Sequence, residues 1–208
     1  MSYARAIVQY ALCAALSTPA ELTVTSFVAL LRGVNVGGRN PVAMSEVSAA
    51  FEGAGYANVR TYGQSGNVLF EVEHAGGPAL ETEIEKMLEG RLALPIVAVI
   101  RSHEQLAATV AGAPANHGSG QLRSDVSFLK HPLTAEAAFA QLPELREGID
   151  SIAVGPGALY FSRVAAQATQ TRIQRVLAMP MFQQMTVRTW RVTTKLLDIL
   201  DNTEPSDT

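Results

Sequence analysis

The apolar positions of the chain follow two alternating patterns. Short runs of consecutive apolar residues, such as residues 27–31, are typical of strands that are buried on both faces. Apolar residues three or four positions apart, as at residues 44–54, are typical of a helix with one buried stripe. In the first half these patterns predict a strand at 23–32, a helix at 44–54, strands at 59–62 and 68–72, a helix at 78–92 and a strand at 96–100.

The same order of elements recurs in the second half of the chain. The predicted elements are a strand at 126–130, a helix at 134–141, strands at 151–154 and 158–162, a helix at 167–178, a strand at 185–188 and a last helix at 190–200. The sequence therefore predicts an α+β fold of two consecutive ferredoxin-like βαββαβ units with a C-terminal helix. The halves share no evident residue-level repeat, so the predicted duplication is one of element order.

Changes in composition divide the chain into predicted segments. The stretch at 112–120 is rich in Gly, Pro, Asn and Ser, which is typical of a linker. The segments are an N-terminal extension at 1–23, a first unit at 24–102, a linker helix and loop at 103–122, a second unit with the C-terminal helix at 123–200 and a disordered tail at 201–208. Because strands of the first unit are apolar on both faces, we expect its open sheet face to be covered, with the other unit as the candidate cover.

The composition limits the possible partners and compartments. A net charge of −3 gives the whole protein no cationic field, so any anion site must be a local patch. One cysteine, Cys13, cannot form an internal disulfide, which is typical of a reducing compartment and predicts a cytoplasmic protein. The apolar stretch at 6–16 resembles a signal peptide, but Gln9 and Tyr10 interrupt it. No apolar run approaches the ~18 residues that span a bilayer.

A glycine-rich loop follows the first predicted strand at residues 33–41. Its glycines permit positive φ angles, and free backbone amides ahead of a helix can form a nest for an anion. The alternative is a plain turn whose arginines cap carbonyl groups. A nucleotide-hydrolysing P-loop is not predicted, because Asn40 lacks a hydroxyl group for Mg²⁺ and Pro41 lacks an amide donor. The predicted ligand-binding residues of this loop are Arg32, Gly33, Asn35, Gly37, Gly38 and Arg39.

The turn predicted at residues 63–67 is the second polar candidate. It resembles the G-x-S-x-G elbow of serine hydrolases, but Asn67 replaces the last glycine and the turn joins two strands. A nucleophilic role for Ser65 is therefore not predicted, and Gln64 and Asn67 are expected to hold backbone groups. Gln64, Ser65 and Asn67 are included among the candidate ligand-binding residues.

The late part of the chain is basic, because residues 151–197 contain no Asp or Glu. Arg188, Trp190 and Lys195 are the candidate ligand-binding residues here, since arginine and indole both stack on planar ligands. The alternative is a solvated helix face with Trp190 in the core. By contrast, residues 71–89 hold six acidic residues and one lysine, so the charge of the chain is unevenly distributed.

No metal, cofactor or catalytic residue is predicted. The histidines His74, His103, His117 and His131 are scattered over separate elements, and none has metal-ligand spacing with another ligand residue. The sequence therefore indicates no particular reaction.

Three segments of the chain resemble a known bacterial family. They are LLRGVNVGG at residues 30–38, TYGQSGNV at 61–68 and RTWRVTTKL at 188–196. Together they are similar to the family called domain of unknown function 1697, over residues 26–200. The resemblance implies a duplicated ferredoxin-like α+β fold and no established activity. Two positions that are usually Asn in this family are Thr189 and Arg191 here, and its late Ser-Lys-Leu is not evident near residues 163–171.

The leading functional hypothesis is the binding of a small phosphorylated or carboxylated ligand at the glycine-rich loop. The first alternative is nucleic-acid binding by the basic segment 151–197. The negative net charge and the lack of stacking aromatics make it less favoured than the leading hypothesis. The second alternative is a self-association or scaffold protein, in which the basic region of one chain mates with the acidic region of another. No membrane partner is predicted, and the sequence leaves the oligomeric state open.

Overall fold

A computed structural model describes residues 24–35 and 41–202 of the chain. The predicted extension at 1–23 and residues 36–40 and 203–208 lie outside the described residues. The first half comprises β1 (Val24–Leu31), α1 (Met44–Glu52), β2 (Ala57–Thr61), β3 (Asn67–Glu73), α2 (Gly77–Leu92), β4 (Ala98–Ser102) and α3 (His103–Ala111). The second half comprises β5 (Leu122–Leu129), α4 (Ala135–Phe139), β6 (Asp150–Gly155), β7 (Ala158–Val164), α5 (Ile173–Leu177), β8 (Met185–Thr189) and α6 (Trp190–Asp201).

Each half forms one four-stranded antiparallel sheet. The strand order is β2-β3-β1-β4 in the first sheet and β6-β7-β5-β8 in the second, so the two halves have the same topology. The predicted α+β fold with two ferredoxin-like units is therefore confirmed.

Helices α1 and α2 cover one face of the first sheet, which we call its outer face. Aromatic rings fill the centre of this layer: the Phe51 ring lies 5.4 Å from the ring of Tyr56 and 5.2 Å from that of Phe70. Phe27 stacks on Phe70 with ring centroids 5.7 Å apart. Helix α2 contributes a fully buried stripe of Leu80, Ile84 and Leu88.

The inner faces of both sheets share one hydrophobic core with α3 and α6. Its residues are Val28, Leu30, Leu69 and Val99 from the first sheet, Val126, Phe128, Ala158 and Tyr160 from the second, Leu106 from α3, and Leu196 and Leu200 from α6. Strands β1 and β4 are apolar on both sides because one side meets α1 and α2 and the other meets this shared core. The expected cover of the open sheet face is thus made by two helices together with the other unit.

The helix predicted at 167–178 is wrong in its extent. The structure has a 3₁₀ helix at Ala165–Gln170, an extended Thr171 and then α5. Asp150 on β6 causes the break, because its carboxylate accepts hydrogen bonds from the Thr171 hydroxyl at 2.6 Å and the Arg172 amide at 2.8 Å. Helix α4 is also shorter than predicted, and Thr134 caps its N-terminus by accepting a hydrogen bond from the Ala137 amide at 3.2 Å.

Two buried arginines occupy equivalent positions in the two units. Arg101 is the fourth residue of β4, and Arg188 is the fourth residue of β8. Each side chain crosses to the other unit and donates to the carbonyl group of the last residue in the first strand of that unit. The acceptor is Leu129 for Arg101 and Leu31 for Arg188. The halves therefore do share a residue-level repeat, which comparison of their sequences did not reveal.

Each arginine also bonds to the hairpin between the second and third strands of the other unit. Nη2 of Arg188 donates to the carbonyl groups of Ser65 at 3.0 Å and Gly66 at 3.1 Å, and Nη2 of Arg101 donates to that of Gly157 at 2.9 Å. These bonds tie a strand end and a hairpin of one unit to the last strand of the other. The two arginines thus form a reciprocal pair of contacts across the interface between the units.

The two arginines differ in how their charge is balanced. Arg101 lies 3.7 Å from the carboxylate of Glu81, which is fully buried and also lies 3.7 Å from Lys130. Arg188 has no carboxylate among its partners in the part of the chain that the structure describes. Burial lowers the pKa of Arg188 to about 10, so the group stays charged at neutral pH.

We expect Arg188→Met to lower the free energy of unfolding by roughly 3 kcal/mol or more, because it removes a buried guanidinium group that donates to backbone carbonyl groups of both units. Urea denaturation at neutral pH measures this change. Arg175→Met, at an exposed arginine on α5, is the matched control and should change the free energy by less than about 0.5 kcal/mol. Equal effects of the two substitutions would show that the interface contacts of Arg188 do not add to the free energy of unfolding.

Candidate functional site

Asn35 closes the base of the glycine-rich loop after β1. Its Nδ2 donates to the Val42 carbonyl group at 2.8 Å, and its Oδ1 accepts from the Val42 amide at 2.9 Å. Nδ2 also donates to the carbonyl group of Gln64 at 3.0 Å. Gly33 (φ 72°) and Asn35 (φ 55°) have left-handed backbone conformations, which these residue types tolerate best. The Asn35 side chain therefore joins both ends of the loop to the neighbouring hairpin.

Arg32 connects this loop to the second unit. Its Nη1 donates to the Met185 carbonyl group at 2.8 Å, and its Nη2 donates to Oε1 of Gln183 at 3.1 Å. The guanidinium group also lies over the ring of Phe182, 4.9 Å from its centroid. Partial burial lowers the pKa of Arg32. Arg32 thus bonds to groups of the protein itself, as the plain-turn alternative describes, and Arg188 does so as well.

The hairpin between β2 and β3 supplies the second side of the site. The side chains of Gln64 and Ser65 are exposed there, whereas Asn67 is buried. Nδ2 of Asn67 donates to the Tyr62 carbonyl group at 2.8 Å, and its Oδ1 accepts from Nε of Arg188. The structure therefore gathers Arg32, Gly33, Asn35, Gln64, Ser65, Asn67 and Arg188 around the end of β1.

The remaining predicted residues fall in three places. Lys195 is exposed on α6, where its pairing with Asp198 at 2.5 Å raises its pKa, and nearby Tyr62 of the hairpin adds to this effect. Trp190 belongs to a different region, because its ring packs edge-on against His117 with centroids 4.8 Å apart. Gly37, Gly38 and Arg39 lie outside the described residues, so the anion nest stays a prediction.

The second unit has an open cleft where the first has the glycine-rich loop. The cleft has a volume of about 660 Å³ and is lined by Arg101, the β6–β7 hairpin and the connection between β5 and α4. That connection is only residues 130–134, whereas residues 32–43 join β1 to α1. Its polar lining includes His131, Gln105 and Thr134. Sequence reasoning missed this cleft because its walls come from separate elements.

His117 forms a buried polar cluster with two serines beside Trp190. Its Nδ1 lies 2.9 Å from the Ser162 hydroxyl, which lies 3.0 Å from that of Ser124. Nε2 of His117 has no hydrogen-bond partner among the described residues, and burial lowers the pKa of this imidazole. Because Ser162 and His117 are only 4% and 8% exposed, this pair lies beneath the surface and is not accessible as a serine nucleophile with its base. No spacing in the sequence indicates that these residues meet.

Residues 24–35 and 41–202 contain no metal-ligand cluster and no helix that could span a membrane. In these ranges no group of three or more His, Cys, Asp or Glu side chains could hold a metal ion. Within the same ranges, the length and hydropathy of every helix fall short of what crossing a membrane requires.

A family model described as a protein of unknown function (DUF1697) matches residues 24–160 of the chain. The chain belongs to this family. The resemblance carried by the segments at 30–38 and 61–68 is thereby confirmed, whereas the segment at 188–196 lies beyond the matched range. The description of the DUF1697 family states no activity, so membership supports the fold and leaves the function to be argued from the site.

Among solved structures, this DUF1697 member is similar to a conserved bacterial protein, SP0830 from Streptococcus pneumoniae. The two chains share 22% sequence identity with a TM-score of 0.72, and the match covers 86% of this chain and 99% of the other. This likeness shows the fold alone. No curated protein matches the chain.

The buried imidazole of His117 predicts a loss of stability in acid. Its pKa lies below the ordinary value of 6.5, so the unfolded state takes up a proton before the folded state does as the pH falls. We expect His117 to contribute a decline of at most about 1.4 kcal/mol per pH unit below that value. Chemical denaturation across this range should show a shallower decline for His117→Asn than for the unsubstituted protein. An unchanged decline would assign the acid sensitivity to other groups.

Proposed function

We propose that the protein binds a small anionic ligand, phosphorylated or carboxylated, at the glycine-rich loop after β1. The observation that carries the proposal is the buried charge of Arg188 beneath this loop. Carbonyl and amide groups surround this charge, and no carboxylate pairs with it among the described residues. A buried charge is screened less than a surface charge, so its field extends to the adjacent loop. That field favours an anion as the ligand.

The sequence near the site adds to this positive potential. Residues 22–45, 57–70 and 151–197 contain no Asp or Glu, and these ranges include both strands and the hairpin that frame the loop. Arg39 within the loop supplies a further cation. Because Asn35 already joins both ends of the loop, the described part of the site is held in place before a ligand binds.

We further propose that the protein acts in the bacterial cytoplasm. Its one cysteine, Cys13, is typical of a reducing compartment, and the similar solved structure comes from a bacterium.

Thermal unfolding with a panel of anions tests the proposed ligand class. The panel contains inorganic phosphate, nucleotides, sugar phosphates and short carboxylates. We expect at least one of them to raise the melting temperature in a saturable manner, because a ligand that binds only the folded state stabilises it. Short single-stranded RNA and DNA in the same panel test the nucleic-acid alternative, whose binding should weaken steeply with salt.

Two variants show whether the effect arises at the loop. Arg39→Ala should abolish the rise in melting temperature, whereas Lys86→Ala, at an exposed cation on α2, should retain it. The proposal is contradicted if no anion raises the melting temperature or if both variants respond alike.

A further inference from the structure

The outer faces of the two sheets are covered to very different extents. On the first sheet, α1 and α2 have 9 and 16 residues. On the second sheet, α4 and α5 have five residues each, and 3₁₀ helices at Ala165–Gln170 and Pro180–Gln184 add to the cover. Since a helix rises 1.5 Å per residue, α2 extends roughly 24 Å and α5 roughly 8 Å. The cover of the second sheet therefore consists of several short segments.

An apolar groove of about 340 Å³ lies between α5 and the strands. Leu159 and Phe161 of β7 form its floor and are 1% and 3% exposed. Ile173 and Leu177 of α5 form one wall, and Leu177 is 37% exposed. The volume is within the range of about 300–1,000 Å³ that is typical of small-molecule sites.

A basic pocket adjoins one end of this groove. It also has a volume of about 340 Å³, and the two share Asp125 and Arg163 as lining residues. Arg123 and Arg191 complete its basic lining, beside Trp190. The guanidinium group of Arg163 lies 5.8 Å from the centroid of the Phe161 ring, so it stands between the apolar floor and the basic end.

The charges at this end are incompletely balanced. Arg123 lies directly opposite Arg163 on the neighbouring strand, an arrangement in which like charges repel. Asp125 pairs with Arg163 at 2.9 Å, and Asp150 lies opposite Arg163 on its other side. Arg123 and Arg191 are both exposed, and neither forms an ion pair within the described residues. An anion at this position would relieve the repulsion.

We propose that the groove binds a single-chain amphiphilic anion as a free monomer. Its apolar chain lies along the wall that Ile173 and Leu177 form, and its carboxylate or phosphate group lies against Arg123 and Arg191. Charge complementarity selects the anionic end, and the apolar wall selects a ligand with a hydrocarbon part. This site is separate from the glycine-rich loop, so either proposal can fail without the other. Because Arg32 contacts Phe182, which lines the groove, a substitution of Arg32 could affect both sites. Arg32 is therefore not substituted in either test.

Fluorescence of Trp190 measures the binding directly, because it is the single tryptophan of the chain and lines the basic pocket. The probes are decanoate and decyl phosphate below their micelle concentrations, with decanol and acetate as matched compounds. We expect a saturable fluorescence change with both decyl anions, binding of decanol weaker by about ten-fold, and no binding of acetate.

Three variants locate the ligand. Arg123→Gln combined with Arg191→Gln should weaken decanoate binding by about ten-fold, and Leu177→Asn should weaken it as well, because it places a polar group in the apolar wall. Arg175→Gln is the matched control, since Arg175 is an exposed arginine of α5 that does not line the groove. It should leave the affinity within about two-fold. Circular dichroism of each variant confirms that it is folded.

Several outcomes would overturn the proposal. They are an absence of saturable binding below the micelle concentration, equal binding of decanol and decanoate, and equal weakening by Arg175→Gln and the double arginine variant. Binding to anionic phospholipid vesicles without binding of the monomer would likewise overturn it, because it would identify a membrane surface as the partner.

Discussion

The reciprocal contacts of Arg101 and Arg188 hold the two sheets in one arrangement. Hydrophobic packing in the shared core supplies much of the favourable free energy, but it is non-directional and cannot alone select how two sheets meet. Hydrogen bonds from a buried guanidinium group are directional, and a displaced unit would leave donors and carbonyl groups unsatisfied at considerable cost. The arginines therefore specify the interface that the apolar residues stabilise.

The different charge partners of these arginines make the two ends of the interface unlike. Buried Glu81 accompanies Arg101, so the cleft of the second unit lies beside a balanced pair. Arg188 has only neutral partners among the described residues, so the glycine-rich loop lies beside an unbalanced charge. This difference in charge balance between the two equivalent contacts is the basis of the anion site proposed at the glycine-rich loop.

The units also diverge in the helices that cover their outer faces. In the first unit a long α2 seals an aromatic core, and in the second the carboxylate of Asp150 interrupts the helix that would do the same. The interruption leaves the apolar groove open beside Arg123 and Arg163. Both proposed sites therefore arise where the two copies of the fold differ, which is where a duplicated scaffold can acquire separate functions.

The order of elements followed from local patterns, because burial on one or two faces of a strand or helix leaves a periodicity that neighbouring residues carry. That periodicity predicted both βαββαβ units and the covered sheet face. The role of Arg188 did not follow, because its partners are mainly carbonyl groups, which every residue possesses and no residue type reveals. The meeting of His117 with Ser162, and the break that Asp150 imposes near Thr171, likewise depend on residues distant in the chain. Only the packing of whole elements brings such groups together, and it is this packing that defined the cleft, the groove and the frame of the glycine-rich loop.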